Sequence, residues 1–289
     1  MIHYTDADVA RVLRDVDIGG AMRDAFVALA SGGAAQQARV RTEAAGVKLS
    51  TLGGVLPAAG VAGAKVYTTI AGEFRFCIVL FSARTGELLA TFDAGEITRR
   101  RTAAVSVIAA RLLSIPQPRA IAVFGTGTQG RAHAEAFAQS WPGVPLHALG
   151  RARFADAQAV LAGADIVVTA TRSATPLFDG RWIREGACVI AVGSSRPDTR
   201  ELDDVLFART RVALVESREQ ALREAGDLVL LDAEVREQLR IVELGEALAG
   251  TVALGAPGDG VAVFKSVGVG IEDVALAGLA YRLLTRRDP

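Results

Sequence analysis

The stretch Val123-Phe124-Gly125-Thr126-Gly127-Thr128-Gln129-Gly130 constrains this chain more than any other. The apolar run Ala120–Phe124 reads as a short buried strand, and the residues after Gly130 read as a helix to about Ser140. A Gly-x-Gly-x-x-Gly pattern is weak by itself in a chain with 30 glycines. Between a buried strand and a helix it becomes specific, because each glycine then has its own task. Gly125 makes the tight turn, Gly127 opens the backbone to a pyrophosphate, and Gly130 lets helix and strand pack closely. Free N–H groups and partial positive charge at the helix start favour phosphate. Gly125, Thr126, Gly127, Thr128, Gln129 and Gly130 are therefore expected to bind a dinucleotide.

The pattern before this turn differs from the pattern after it. Thr5 and Asp8 form a capping-box sequence that starts a first helix, and a second helix carries Met22, Ala25, Phe26 and Leu29 before Gly32-Gly33. Four β-type runs follow, Val47–Leu52, Ala64–Ile70, Phe74–Phe81 and Leu88–Phe92, separated by turn residues, which suggests an antiparallel sheet. Thr98 is read as the cap of a helix that ends before Pro116 and Pro118. Beyond Arg119, buried-type strands recur at Leu146–Leu149, Ile166–Ala170, Cys188–Val192, Val212–Val215 and Val261–Phe264, mostly with helical stretches between them. That alternation implies crossovers and a largely parallel sheet. Only a short stretch, Phe154–Ala162, precedes Asp165, so either the sheet is one strand short or the adenosine end is trimmed. A final amphipathic helix, Ile271–Leu284, is suited to pack back on the first domain. The expected division is 1–115 with 266–289, and 116–265.

Composition narrows the function classes. The 289 residues are 51% hydrophobic, enough for two domains with sizeable cores. Lys plus Arg and Asp plus Glu are each 32, so nothing electrostatic points to nucleic acid or an anionic membrane. No apolar run is long enough to span a bilayer and no signal sequence is visible, so a cytoplasmic location is expected. Cys77 and Cys188 lie far apart in apolar runs and read as reduced thiols. His3, His133 and His147 show no ligand spacing, so no protein-held metal is expected.

The second nucleotide-side strand ends in Ala148-Leu149-Gly150-Arg151-Ala152-Arg153, where an acid usually holds the ribose hydroxyls of NAD. Arg151 and Arg153 instead suit a 2′-phosphate, which favours NADP(H) over NAD(H). In the first domain, Arg41, Lys65 and Arg101 stand out. Arg101 falls three residues after Thr98, in what reads as a first helical turn, where a cation opposes the dipole and suggests a bound anion. Lys65 lies within an apolar β-run, the setting of a proton donor with a lowered pKa.

Further strings carry a resemblance: Thr98–Ser106, Gly125–Gly130, Ala164–Thr171, Gly193–Asp204, Val263–Gly268 and Ile271–Asp273, in this order. Together they resemble the ornithine cyclodeaminase/mu-crystallin family over nearly the whole chain. The resemblance implies a Rossmann-type doubly wound parallel sheet inserted in a discontinuous α+β substrate and dimerisation domain. It implies a homodimer formed through the N-terminal sheet and chemistry on small amino or imino acids. It places Arg41, Lys65 and Arg101 at the substrate carboxylate and the proton transfer; Ser195, counted with these catalytic residues, and Ser266-Val267 are expected to shape the nicotinamide side, and Thr171 to bind the cofactor.

Cyclodeaminases of that family carry an aspartate where this chain has Ser195, followed by Arg196-Pro197-Asp198. A serine is no carboxylate base. The Ser-Arg-Pro-Asp version, with Phe264-Lys265-Ser266, is more similar to the ketimine-reductase branch. The expected activity is reduction of cyclic imino acids; the alternatives are ornithine cyclodeaminase and an NAD-dependent alanine dehydrogenase of the same fold. The short Ala71-Gly72-Glu73 stretch departs from the family and implies a different pocket.

Overall fold

Strand alternation between residues 35 and 93 can bury one face of a sheet, whereas the continuous apolar runs after residue 120 must be covered on both faces. The computed structural model, which describes residues 2–286, follows this division. The chain groups into two compact units, Met1–Ala104 with Val269–Pro289, and Val105–Gly268. The second is thus inserted in the sequence of the first.

The first unit contains β1 (His3–Tyr4), α1 (Asp6–Val12), α2 (Ile18–Ala30), β2 (Ala35–Ala44), β3 (Val47–Leu56), β4 (Val61–Ile70), β5 (Glu73–Ser82) and β6 (Leu88–Asp93). The strands form one sheet in the order β1-β6-β5-β4-β3-β2, antiparallel except that β1 runs parallel to β6. The expected Thr5–Asp8 capping box is present. The short Ala71-Gly72 connection is a two-residue hairpin turn with both φ angles positive, 49° and 82°. Strand β2, not anticipated from its Gln-Gln-Ala-Arg composition, forms as an edge strand paired to β3 through an irregularity between Gln37 and Val40.

Helix α3 (Gly95–Leu113) begins four residues earlier than a cap at Thr98 implies. Its cap comes from elsewhere in the chain: the Asp6 carboxylate accepts the Glu96 N–H at 2.7 Å. Arg101 therefore lies in the second turn, and the dipole argument built on it does not hold. Arg99 and Arg100 pair with Glu96 at 2.7 and 2.5 Å, so two of the three clustered arginines serve the helix itself.

The second unit continues with β7 (Ile121–Phe124), α4 (Thr128–Ser140), β8 (Leu146–Leu149), α5 (Ala157–Gly163), β9 (Ile166–Thr169), β10 (Cys188–Ala191) and α6 (Asp204–Ala208). There follow β11 (Thr210–Val215), α7 (Arg218–Glu224), α8 (Gly226–Val229), α9 (Ala233–Gln238), β12 (Ile241–Glu243), α10 (Leu244–Leu248) and β13 (Val261–Lys265). All seven strands are parallel, in the order β12-β11-β13-β10-β9-β7-β8. Strand order reverses between β7 and β9, the position where sheets of this class bind ligands. Strand β8 is the edge, so of the two explanations for the short Phe154–Ala162 stretch the sheet is the one that is a strand short. Buried β10 includes Cys188, a free thiol whose pKa burial pushes up to about 12.

The chain then returns to the first unit as α11 (Gly270–Thr285), which packs on β2–β5 and α2. Its start lies against β3: a Cβ on Gly270 would overlap the Gly53 backbone, and one on Gly54 would meet Ile271 Cα at 3.0 Å. Among the described residues, no helix is long and apolar enough to cross a membrane. Asp6→Ala removes the distant cap of α3 and should lower stability by about 1 kcal/mol, read as a shifted midpoint in urea unfolding without loss of the folded baseline.

Candidate active site

The glycine turn behaves as its sequence requires. Gly125 has φ +111°, and a Cβ there would overlap the Ala170 carbonyl at the end of the neighbouring strand. A Cβ on Gly130 would overlap the Gly125 carbonyl, so this glycine is what lets α4 start so close to β7. Gly127 differs. It is the N-cap of α4 with an ordinary φ of −74°, and a Cβ there would meet nothing within 4 Å. Its bareness leaves open space at a helix start that no side chain caps, and that space fits a pyrophosphate. Thr126 follows the turn glycine, and Thr128 and Gln129 open α4. His133, one turn on, bonds Gln129 O at 2.8 Å and Ser106 Oγ at 2.9 Å. Burial pushes its pKa down to about 4, so it packs as a neutral ring.

Gly150, at the end of β8, abuts Thr126, which brings Arg151 to the same edge of the sheet. Arg151 is exposed and forms no ion pair among the described residues. Arg153 is exposed too but pairs with Asp156 at 3.2 Å. The two arginines thus differ in how available they are to an anion.

Buried carboxylates hold the loops at the C-terminal ends of the other strands. Glu201 accepts from Thr169 Oγ1 (2.8 Å), Thr171 N (2.7 Å), Thr171 Oγ1 (2.7 Å) and Gly193 N (2.8 Å). Glu216 accepts from Ser266 Oγ and from the N–H groups of Val267 (2.8 Å) and Gly268 (3.0 Å). Asp227 accepts Glu201 N at 2.6 Å and Leu202 N at 2.9 Å, and pairs with the fully buried Lys265 at 2.9 Å. The hydroxyls of Thr171 and Ser266 therefore point at acids inside the protein. Ser195 is half-buried on the loop after β10 that Glu201 closes.

In the first unit, Lys65 and Arg101 come together. Lys65 is 3% exposed, and its Nζ lies 3.1 Å from both Asp273 oxygens and 3.1 Å from Thr98 Oγ1. Arg101 is 5% exposed, pairs with Glu272, and places Nε 3.3 Å from Asp273 Oδ1. Burial pushes the Lys65 pKa down to about 8, with Arg101 and Arg39 assisting and Asp273 opposing. Arg41 is exposed on β2, opposite Ser50. The buried arginine of that strand is Arg39, two residues earlier, at 9% exposure.

Sequence reasoning passed over Arg39, Glu201, Glu216, Asp227, Glu272 and Asp273 as site residues, and quoted Lys265 only within a string. Lys265 had the same signal as Lys65, a lysine inside an apolar β-run. The acids had none, because their partners lie far away in sequence.

The sequence matches the model of the ornithine cyclodeaminase/mu-crystallin family over residues 2–146 and 149–286. It is 38% identical over 220 residues to the ketimine reductase mu-crystallin of Mus musculus, covering 71% of this chain and 68% of that protein. It is 32% identical over 243 residues to the Delta(1)-pyrroline-2-carboxylate/Delta(1)-piperideine-2-carboxylate reductase of Azospirillum brasilense, covering 78% and 74%. Among solved structures, the probable ornithine cyclodeaminase from Bordetella pertussis Tohama I is 47% identical, with a TM-score of 0.90 over 98% of this chain and 97% of that one.

The glycine geometry separates binding from folding. Gly127→Ala should leave the melting temperature unchanged yet weaken dinucleotide binding about tenfold or more by calorimetry, an effect of ~1.4 kcal/mol. Gly130→Ala should lose stability as well as binding, because its Cβ has nowhere to go.

Proposed function

This chain belongs to the ornithine cyclodeaminase/mu-crystallin family, and from that premise we propose that it reduces cyclic imino acids with a nicotinamide dinucleotide. Pyrroline-2-carboxylate and piperideine-2-carboxylate are the candidate substrates. The observation that carries the reading is the charge of the buried cluster in the first unit. Lys65 and Arg101 lie buried against two buried carboxylates, Glu272 and Asp273. The two cations that a substrate carboxylate and an imine nitrogen require are thus held side by side and out of water.

Arg101 and Arg41 are assigned to that carboxylate, which orients the C=N bond. Lys65, as ammonium, is assigned as donor of a proton to the imine nitrogen. The reduced dinucleotide, when bound, supplies the hydride for the C=N carbon, so that imine, hydride and proton give the saturated amino acid and the oxidised dinucleotide. The turn from Gly125 to Gly130 is proposed to hold its pyrophosphate, and the backbone around Thr171 and Ser266-Val267 to line its nicotinamide side. Arg151, exposed beside the turn, supports a preference for NADP(H), with Arg153 contributing less because Asp156 engages it.

Ser195 favours reduction over deamination, since a hydroxyl is a poor substitute for a carboxylate base at neutral pH. The second reading, conversion of ornithine to proline with release of ammonia, is favoured by the 47% identity to the probable ornithine cyclodeaminase. A homodimer is proposed through the outward face of the antiparallel sheet. Val40, Val47, Leu49, Val55, Ile70 and Phe81 share that face by register and are exposed. Sedimentation at micromolar concentration tests it.

NADPH oxidation should accompany addition of either cyclic imino acid. Inactivity with both, together with ornithine-dependent ammonia release, overturns the reductase reading. Arg151→Ala should raise KM for NADPH about tenfold and leave KM for NADH unchanged. Lys65 is an ammonium below its pKa, so kcat/KM should fall as pH rises through about 8.

A further inference from the structure

Glu272 and Asp273 are neighbours in sequence, both fully buried in the first turn of α11, yet they face different cations. Glu272 engages the Arg101 guanidinium. Asp273 engages Lys65 with both oxygens at 3.1 Å and reaches Arg101 only at Nε. We propose that Asp273 is a positioning residue that keeps Lys65 protonated and aimed, while Glu272 orients Arg101. The proposal rests on the reading of Lys65 as the proton donor to the imine.

The surroundings of Lys65 show why a carboxylate is needed there. Strand β2 brings Arg39 and α3 brings Arg101, two positive charges that favour loss of the lysine proton. The α3 hydroxyl of Thr98 and the β5 ring of Phe76, 5.1 Å from Nζ, carry no charge. Burial disfavours the ammonium further. Against these, α11 brings two carboxylates, and Asp273 is the one in contact with Nζ. A proton donor that is neutral at working pH has nothing to give, so the charge on Asp273 decides whether Lys65 acts as an acid.

The placement of Asp273 is built in rather than incidental. Gly270 has no side chain to keep the helix start off the Gly53 backbone, and Gly54 leaves room for Ile271. The helix therefore reaches the sheet with its first turn and sets its acids at the level of Lys65. A carboxylate in a first turn is favoured by the helix dipole.

The test uses the full chain with Asp273→Asn, Asp273→Glu and Glu272→Gln. Only Lys48, Lys65 and Lys265 are lysines, so NMR of protein labelled at the lysine ε-carbon resolves the Lys65 titration, assigned by Lys65→Arg. In Asp273→Asn, the Lys65 titration and the alkaline limb of kcat/KM should both move to lower pH, by about one unit or more. Ionisation of the imino acid is common to all the enzymes, so displacement between them belongs to the protein. Glu272→Gln should raise KM for the imino acid and leave the alkaline limb in place. Asp273→Glu should restore the limb, and it covers the case in which the asparagine variant folds poorly. An unmoved Lys65 titration in Asp273→Asn overturns the proposal. A moved titration with an unmoved kinetic limb upholds the role of Asp273 and instead overturns the reading of Lys65 as the acid.

Discussion

A lysine in the middle of an apolar sheet is the constraint around which the first unit is organised. Lys65 faces the inner side of β4, where its sheet neighbours supply no negative charge. An ammonium without a partner in that setting costs several kcal/mol or gives up its proton. The partner arrives from 208 residues along the chain, on α11. The first unit is therefore incomplete until the chain has passed through the parallel sheet and come back. Glycines at the helix start and on β3 permit that return at close range, and Arg101 and Glu272 are satisfied by the same approach. Discontinuity of the unit and assembly of its charged cluster have a common cause.

The inserted unit repeats the device on a parallel sheet. Lys265, fully buried at the end of β13, pairs with Asp227, and Asp227 takes the N–H groups that lead into Glu201. Glu201 and Glu216 in turn take backbone N–H groups at the ends of β9, β10 and β13 that strand pairing has left over. Each such carboxylate converts several loose loop donors into one charge-assisted anchor. The loops at the ligand-binding edge are held from below. What they offer a ligand is mainly backbone.

Sequence reading succeeded where the physics is local. A strand, three glycines and a helix are contiguous, and the steric demand on Gly125 and Gly130 follows from the turn, whereas the structure puts none on Gly127. Lys65 was visible because it breaks a β-type run. Reading failed where the cause was distant. Thr98 looked like a cap, but the cap of α3 is Asp6, some ninety residues earlier. The edge strand β2 has little β-type composition and depends on β3 to exist, so Arg39 on it went unnoticed. That the hydroxyls of Thr171 and Ser266 meet Glu201 and Glu216 is likewise set by residues 30 and 50 positions away.

The order of most elements, the glycine turn between strand and helix, the family and the identities of the unusual cations were determined by the sequence alone. Each is a matter of periodicity, of sterics over a few residues, or of strings in a characteristic order. Which acid meets which cation was decided only by the tertiary structure. A buried charge is satisfied by whatever the fold brings within about 4 Å, and that depends on how α11 meets a sheet formed two hundred residues earlier. The same dependence decided that Arg39 rather than Arg41 is buried, and that Asp273 shares both its oxygens with Lys65.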